Sequence, residues 1–204
     1  MTLVYILDYG AGNLFSVKKA LERLGCEVFI SGPHDVGKKG FDALVLPGVG
    51  SFRETMEVIR PYLDELLGVI RDGTPTLGIC LGMQVMFTLG TEGGLTRGLN
   101  LFKGVVVEFQ GVRKPHMGWN LVEVKRYSPL TDGVEKRFYA YFAHSYHAKA
   151  EDERVVIGET EYGVRFPSIV GEGAVFGTQF HPEKSGRDGR KVLSNFVSVA
   201  KGAL

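Results

Sequence analysis

The first half of the chain alternates short apolar runs with stretches of helical periodicity, and this alternation most narrows the choice of folds. The apolar runs of strand length are residues 3–7, 26–30, 43–46 and 76–79. Between the first two, Leu14, Val17, Leu21 and Leu24 recur every three or four positions before Gly25, which predicts a helix that Gly25 ends. Strands that alternate with helices are typical of α/β domains with a parallel sheet.

The rest of the chain extends this scheme. Ser51 and Glu54 have the spacing of a capping box, which predicts that a helix begins there. Pro61 suits the first turn of a following helix. We expect a further helical stretch from Cys80 to Leu89. After about residue 100 the pattern changes to strands separated by turn residues, with a last amphipathic helix. The expected later strands are 105–107, 121–125, 138–142, 155–160 and 174–180. We therefore predict one three-layer α/β domain over residues 1–204, with a central mixed, mostly parallel sheet flanked by helices.

Composition excludes several classes of function. Twenty-four Lys and Arg residues against 23 Asp and Glu leave a formal charge of +1, which argues against broad electrostatic capture of nucleic acid or anionic membrane. We expect a cytoplasmic protein, because no secretory signal or apolar run of membrane-spanning length occurs, and two cysteines cannot form a disulfide framework. Zinc-type ligand spacing, a phosphate loop and a dinucleotide fingerprint are also missing from the sequence, so we expect neither a metal nor a cofactor.

A cysteine stands where a sharp turn joins a predicted strand to a predicted helix. In Gly78-Ile79-Cys80-Leu81-Gly82, glycines lie two positions on either side of the cysteine. A nucleophile at such a turn needs small neighbours because the strand and helix backbones come close together. The helix N-terminus favours a thiolate, and the Leu81 amide can face a developing oxyanion. A buried structural cysteine is the alternative interpretation, and it is the one we give to Cys26.

A thiol nucleophile needs a base, and His181 is the best candidate among the five histidines. Because Pro182 holds the chain extended, we expect Glu183 to project to the same side as His181. The carboxylate would then fix the imidazole tautomer and stabilise the imidazolium. A surface ion pair would look the same in the sequence, but together with the cysteine turn these residues predict a Cys-His-Glu triad.

Several motifs resemble those of a known family. Gly78-Ile79-Cys80-Leu81-Gly82-Met83-Gln84 and Gln179-Phe180-His181-Pro182-Glu183 are similar to the nucleophile and His-x-Glu motifs of class I glutamine amidotransferases. Four further segments resemble the glutaminase subunits of imidazole glycerol phosphate synthase. They are Asp8-Tyr9-Gly10-Ala11-Gly12-Asn13, Pro47-Gly48-Val49-Gly50-Ser51-Phe52, Pro115-His116-Met117-Gly118-Trp119-Asn120 and Tyr141-Phe142-Ala143-His144-Ser145-Tyr146. This resemblance extends from residue 3 to beyond residue 185 and implies a flavodoxin-like arrangement of the sheet.

The resemblance also implies a reaction. Cys80 would attack the side-chain amide of glutamine to give a γ-glutamyl thioester and ammonia, His181 would transfer the proton, Glu183 would orient His181, and water would release glutamate. The oxyanion donors that it implies are the amides of Leu81 and of Val49 or Gly50. The substrate-binding residues that it implies are Gln84, Gly48, His144, Ser145 and Tyr146, with an ordinary surface glutamine as the alternative for Gln84.

The family pairs this subunit with a synthase that uses the ammonia. The resemblance implies a heterodimer with the (β/α)₈-barrel cyclase that makes imidazole glycerol phosphate and aminoimidazole carboxamide ribonucleotide (AICAR) in histidine biosynthesis. The candidate interface residues are Asn13, Trp119, Asn120 and Lys184. An exposed tryptophan would be a natural hot spot, and partial burial against the next strand is the alternative.

Three other functions stay open at this point. The chain could be the amidotransferase subunit of another synthase, a stand-alone cysteine hydrolase or peptidase, or a catalytically silent regulatory module. The segment around Trp119 argues against the first, the His-x-Glu spacing against the second, and the intact triad against the third.

Overall fold

The computed structural model describes residues 1–10, 13–48 and 50–202. In chain order, the strands are β1 (Leu3–Leu7), β2 (Glu27–Ser31), β3 (Ala43–Leu46), β4 (Thr76–Ile79), β5 (Phe87–Gly90), β6 (Thr96–Arg97), β7 (Phe102–Glu108), β8 (His116–Val124), β9 (Arg137–His144), β10 (Tyr146–Ala150), β11 (Val156–Glu161), β12 (Arg165–Glu172) and β13 (Val175–Thr178). The α-helices are α1 (Leu14–Glu22), α2 (Phe52–Ile59), α3 (Leu63–Arg71), α4 (Leu81–Val85) and α5 (Gly186–Ala200). Short 3₁₀ helices form at Pro33–Asp35, Arg60–Tyr62, Pro129–Thr131, Glu153–Val155 and Pro182–Lys184.

A large mixed sheet forms the centre of the domain, with the strand order β2-β1-β3-β4-β13-β12-β11-β8-β9. The pairs from β2 to β13 are parallel, and those from β13 to β9 are antiparallel. The mixed sheet of the prediction is confirmed, and its antiparallel half is as broad as its parallel half. Since β4 and β13 are parallel neighbours, with Ile79 opposite Thr178, the residues that follow them leave the sheet at the same edge.

Helices cover both faces of this sheet, and the alternating side chains of β1 pack against helices on each face. Val4 and Ile6 pack in the same cluster as residues of α1 and α5, whereas Tyr5 and Leu7 pack in the same cluster as residues of α2 and α3. The capping prediction also holds, since the Ser51 hydroxyl accepts a hydrogen bond from the Glu54 amide at 3.3 Å. None of the described helices is long and apolar enough to cross a bilayer.

The predicted helix from Cys80 to Leu89 is wrong beyond Val85. Helix α4 ends there, and β5 enters a smaller sheet with the order β10-β7-β5-β6. Strand β5 pairs with β7, and the rings of Phe87 and Phe102 lie 5.7 Å apart. The error has a physical cause: residues 85–87 are fully buried, and a short apolar run shows no periodicity that separates a helix from a strand.

Candidate active site

Cys80 lies in the turn between β4 and α4 with a left-handed backbone, at φ 54° and ψ −107°. A residue that carries a Cβ atom rarely adopts a positive φ, and such strain is concentrated at functional sites. The turn is held by a hydrogen bond of 2.7 Å from the Cys80 amide to the carbonyl of Thr178 at the end of β13. The strained cysteine is thereby fixed to the neighbouring strand.

Glycines around Cys80 permit a close approach of three backbone segments. A Cβ atom added to Gly82 would lie 1.9 Å from the carbonyl oxygen of Leu46, and one added to Gly78 would lie 2.6 Å from that of Gly82. A Cβ atom on Gly48 would lie 2.3 Å from the amide nitrogen of Leu81. These distances supply the physical reason for the glycine spacing in the sequence: a side chain at any of the three positions would collide with backbone.

The structure brings His181 and Glu183 together, but by a different route from the predicted one. The chain does not continue extended through Pro182, because Pro182–Lys184 form a 3₁₀ turn. Within this turn the Glu183 side chain folds back, and its Oε1 atom accepts a hydrogen bond from Nδ1 of His181 at 3.0 Å. Nδ1 therefore carries a proton, which leaves Nε2 as the ring nitrogen available for proton transfer.

The surroundings of His181 favour its charged form. Burial lowers the pKa of this imidazole, but hydrogen bonds to Cys80 and Glu183 outweigh burial and raise the pKa above its ordinary value. The Glu183 side chain is 1% exposed, so solvent screens the interaction between its charge and the His181 imidazole only weakly. Glu183 and Cys80 can thus keep a proton on the His181 imidazole, and a protonated imidazole next to a cysteine is the arrangement that activates a cysteine nucleophile.

A cavity of about 220 Å³ opens beside Cys80. Its lining includes the predicted residues Gly48, Gly50, Leu81, Gln84, His144, Ser145 and Tyr146. Val49, the other candidate for an oxyanion donor, lies outside the described residues. A larger hollow of about 620 Å³, lined by Arg53, Arg60 and Arg97 among others, contains no residue of the triad.

Two of the predicted binding residues are held by hydrogen bonds within the protein. The Nε2 atom of Gln84 donates to the carbonyl of Tyr146 at 2.8 Å and to Oε1 of Gln179 at 3.0 Å. Both ring nitrogens of His144 are also engaged, Nδ1 with the Tyr146 carbonyl and Nε2 with His116. His144 therefore has a fixed position in the cavity lining, and the Gln84 amide oxygen accepts no hydrogen bond from the residues that the structure describes.

Sequence reasoning missed two polar residues of the site. Glu92 lines the cavity, its Oε2 atom accepts a hydrogen bond of 2.8 Å from the Phe52 amide, and burial raises the pKa of its carboxyl group. It was missed because it follows β5, which was predicted as helix. The second residue, Gln179, has its Nε2 atom 3.6 Å from the Cys80 sulfur. Its position two residues before His181 was the signal that could have identified it.

The predicted interface residues do not all share one environment. Trp119 is 57% exposed, and its ring lies 6.3 Å from that of Tyr141, over which the ammonium group of Lys184 lies at 5.8 Å. Asn13 caps α1 by accepting a hydrogen bond from the Ser16 amide. Asn120 is half-buried and donates hydrogen bonds to His116 and to the carbonyl of Glu161. Trp119 and Lys184 thus form one exposed patch with Tyr141.

Within the described ranges, no group of three or more His, Cys, Asp or Glu side chains has an arrangement that could hold a metal ion. The polar groups around Cys80 are instead engaged with one another and with the backbone. The arrangement of Cys80 next to His181 is the one expected of a thiol nucleophile with its own base.

Comparisons with known proteins agree with this geometry. Residues 5–200 match the family model described as glutamine amidotransferase class-I. The imidazole glycerol phosphate synthase subunit HisH of Geobacillus thermodenitrificans is 48% identical over 99% of this chain and 98% of the relative. The subunit of the same name from Methanocaldococcus jannaschii is 42% identical over 97% of this chain and 100% of the relative.

Solved structures resemble the fold at lower identity. PurLQS from Thermotoga maritima superposes with a TM-score of 0.77 at 21% identity over 98% of this chain and 99% of that one. A glutamine amidotransferase from the same organism gives a TM-score of 0.70 at 12% identity over 98% and 97% of the two chains. These likenesses show the fold alone, whereas the family model and the two HisH relatives show the family. The chain belongs to the class I glutamine amidotransferases and, within them, to the family of HisH subunits of imidazole glycerol phosphate synthase.

Proposed function

We propose that this chain hydrolyses glutamine to glutamate and ammonia at Cys80 and supplies the ammonia to a cyclase subunit. The observation that carries the proposal is the buried constellation of Cys80, His181 and Glu183 at the edge of the cavity, in a chain of the HisH family. A thiolate, a proton on the adjacent imidazole and a carboxylate behind it are what acyl transfer from an amide requires.

The reaction has two stages. The Cys80 sulfur attacks the side-chain amide carbon of glutamine and forms a C–S bond, and the His181 imidazolium protonates the departing nitrogen as the C–N bond breaks. A water molecule then gives a proton to His181 and attacks the thioester carbon. Glutamate leaves, and the thiolate and the imidazolium are restored.

The amide of Leu81, at the first residue of α4, is the first proposed oxyanion donor, and the Val49 or Gly50 amide is the second. Gly48, Gly50 and Leu81 all line the cavity next to the nucleophile, which supports a donor pair at this point. Backbone donors aimed at a developing oxyanion contribute roughly 2.7–4 kcal/mol each to transition-state stabilisation.

Other residues that line the cavity suit the amino-acid end of the substrate. Glu92 supplies a carboxylate that can pair with the α-ammonium group of glutamine, and the oxygen of the Gln84 amide can accept a hydrogen bond. Ser145 and Tyr146 also line the cavity. The charge of Glu92 favours glutamine over amides that lack an α-ammonium group.

Ammonia that diffuses into solvent cannot be used in a synthesis, so the subunit that releases it needs a bound partner that consumes it. The proposed partner is the (β/α)₈-barrel cyclase subunit of imidazole glycerol phosphate synthase. This heterodimer would make imidazole glycerol phosphate and AICAR in histidine biosynthesis. The patch of Trp119, Tyr141 and Lys184 supports docking near the active site, because the centroids of the Tyr141 and His181 rings lie 6.5 Å apart. The patch offers a large aromatic anchor, which is typical of interface hot spots.

The proposal is tested by measuring glutamate release from glutamine, with and without the barrel cyclase and a cyclase ligand. We expect ligand-stimulated release by the native chain, none by Cys80→Ala, and native release by Cys26→Ala, which removes the other buried thiol. Release with a different synthase alone would retain the chemistry and overturn the pathway. Turnover of peptides or esters without any partner would favour a stand-alone hydrolase.

A further inference from the structure

Gln179 takes no part in the reaction as proposed, yet its side-chain amide contacts the reacting sulfur. The residue is completely buried, and its Nε2 atom lies 3.6 Å from Sγ of Cys80, within hydrogen-bonding distance for sulfur. From this contact we infer that Gln179 is a positioning residue, which donates an N–H hydrogen bond to the Cys80 thiolate and holds it toward the cavity. The inference rests on the proposed role of Cys80 as the nucleophile.

The amide of Gln179 can point only one way in this environment. Nε2 of Gln84 donates to Oε1 of Gln179, so the oxygen of Gln179 is used and its nitrogen faces the sulfur. Gln84 in turn must present its nitrogen, because it also contacts the carbonyl oxygen of Tyr146, which can only accept. A reversed Gln179 would set nitrogen against nitrogen at Gln84 and oxygen against the sulfur.

The Tyr146 carbonyl is itself held from the other side. It accepts a hydrogen bond of 2.7 Å from Nδ1 of His144, whose Nε2 accepts one of 3.0 Å from Nδ1 of His116. Burial lowers the pKa of His116 to about 4 and that of His144 to about 3, so both rings are neutral at pH 7 and this pattern of donors persists. Asn120 completes the chain by donating to Nε2 of His116 at 3.1 Å.

A donor at this position acts on the charged form of the sulfur. A thiolate accepts a hydrogen bond more strongly than a thiol, and the carbonyl of Ala143, 3.8 Å from the sulfur, interacts favourably only with the thiol. The Gln179 amide thus offsets that carbonyl and favours the thiolate before attack. The same hydrogen bond stabilises the thiolate a second time, when the C–S bond breaks during hydrolysis of the thioester.

Alkylation of Cys80 by iodoacetamide tests the inference independently of glutamine turnover. In this reaction the thiolate forms a C–S bond to the methylene carbon and iodide leaves, and mass spectrometry of the Cys80 peptide gives the rate at each pH. Gln179→Met keeps the length of the side chain and removes the donor. We expect alkylation to be about tenfold slower at pH 7, with the pH of half-maximal rate moved upward by about one unit.

Ser168→Ala is the matched control, because the Ser168 carbonyl accepts a hydrogen bond from the Gln179 amide in the adjoining strand. Its buried hydroxyl has no hydrogen-bond partner within the described part of the chain, so we expect this variant to alkylate at the native rate. Gln179→Glu provides a second test if Gln179→Met does not fold. It still accepts from Gln84 but turns a carboxylate oxygen toward the sulfur, and we expect even slower alkylation.

Glutamate release in the complex with the cyclase separates the possible results. Under the inference, Gln179→Met lowers kcat and leaves KM near the native value. A native alkylation rate with a native pH dependence in folded Gln179→Met would overturn the inference, even if turnover fell. Turnover that survives in Cys80→Ala would instead overturn the proposed function, and the alkylation rates would still decide whether Gln179 acts on the sulfur.

Discussion

The Nδ1 atom of His181 lies 3.0 Å from Oε1 of Glu183, and the two side chains are only 5% and 1% exposed. This buried pair keeps the proton on the imidazole side that faces away from Cys80. In the proposed reaction it also stabilises the imidazolium that protonates the leaving nitrogen, and Glu183→Gln removes the charge of the carboxylate with little change of shape.

We expect Glu183→Gln to lower partner-stimulated kcat by at least about a hundredfold, since loss of the orienting carboxylate leaves the wrong tautomer accessible. The measurement is glutamate release together with the melting temperature, to establish that the variant is folded. Glu161→Gln, which changes an exposed carboxylate beside Arg165, is the control and should retain native kcat. Native activity in Glu183→Gln would contradict the triad.

The close backbone approach at Gly82 predicts a large effect on stability. A Cβ atom there would lie 1.9 Å from the Leu46 carbonyl oxygen, so Gly82→Ala should lower the free energy of unfolding by at least about 2 kcal/mol. Gly68 in α3 has open space around the same atom, and Gly68→Ala should raise the free energy of unfolding by about 0.5–1 kcal/mol. Urea unfolding of the two variants checks the opposite signs, and equal effects would contradict the packing argument.

The position of Glu92 predicts a change in substrate affinity. Glu92→Gln can still accept the hydrogen bond from the Phe52 amide, so it removes the negative charge and keeps the local fold. We expect KM for glutamine to rise about tenfold or more while kcat changes little, because the lost ion pair is made equally in the ground and transition states. Glu57→Gln, on the outer surface of α2, should leave both constants native. A fall in kcat alone would assign Glu92 a different role.

The buried histidines predict how stability depends on pH. Burial lowers the pKa of His116 from 6.5 to about 4, so the unfolded chain binds a proton here that the folded chain does not. Stability is therefore fully present above pH 6.5 and is lost as the pH falls toward about 4. We expect His116→Gln to reduce this loss, since a glutamine can donate to His144 and accept from Asn120 without titrating.

Melting temperatures measured at several pH values between neutral and about pH 4 check this expectation. His34→Gln is the control, because the His34 side chain is 56% exposed in the short 3₁₀ helix Pro33–Asp35, and it should keep the native pH dependence. An equal pH dependence in native protein and His116→Gln would show that other groups control acid unfolding.

The exposed patch predicts where the cyclase binds. Trp119→Ala should weaken binding of the barrel cyclase at least about tenfold, because a large exposed aromatic side chain next to a lysine contributes strongly to an interface. Tyr127 is 69% exposed and follows the end of β8 that is farther from His116, so Tyr127→Ala should bind natively. Isothermal titration of both variants against the cyclase measures the difference, and unchanged affinity in Trp119→Ala would remove the patch from the interface.

The sequence predicted the parallel half of the sheet because its signals are local. Several strands there are buried apolar runs next to an amphipathic helix, as Leu3–Leu7 is before α1. Strands β5 and β10 were missed, and both pair with β7, from which they are separated in the chain by more than a hairpin turn. The pairing of Phe87 with Phe102, which makes β5 a strand, is a tertiary contact that periodicity does not record.

The triad followed from residue types and spacing, but its supporting residues did not. Cys80 and His181 stand in short motifs, whereas Glu92 and Gln179 reach the site through the fold. Glu183 contacts His181 because residues Pro182–Lys184 form a 3₁₀ turn, whereas the sequence predicted an extended chain at this point. The sequence alone was enough to predict the chemistry that we propose, whereas the hydrogen bonds among the side chains of the site required the structure.

The insertion of β13 between β4 and β12 has a consequence for the timing of activity. A ribosome releases Cys80 with β4 long before it releases His181, and the two can meet only after β13 has paired beside β4. Until then the cysteine lacks His181, the base that the proposed reaction uses. The order of strands thus makes the proposed base available only after β13 has been synthesised and has paired beside β4.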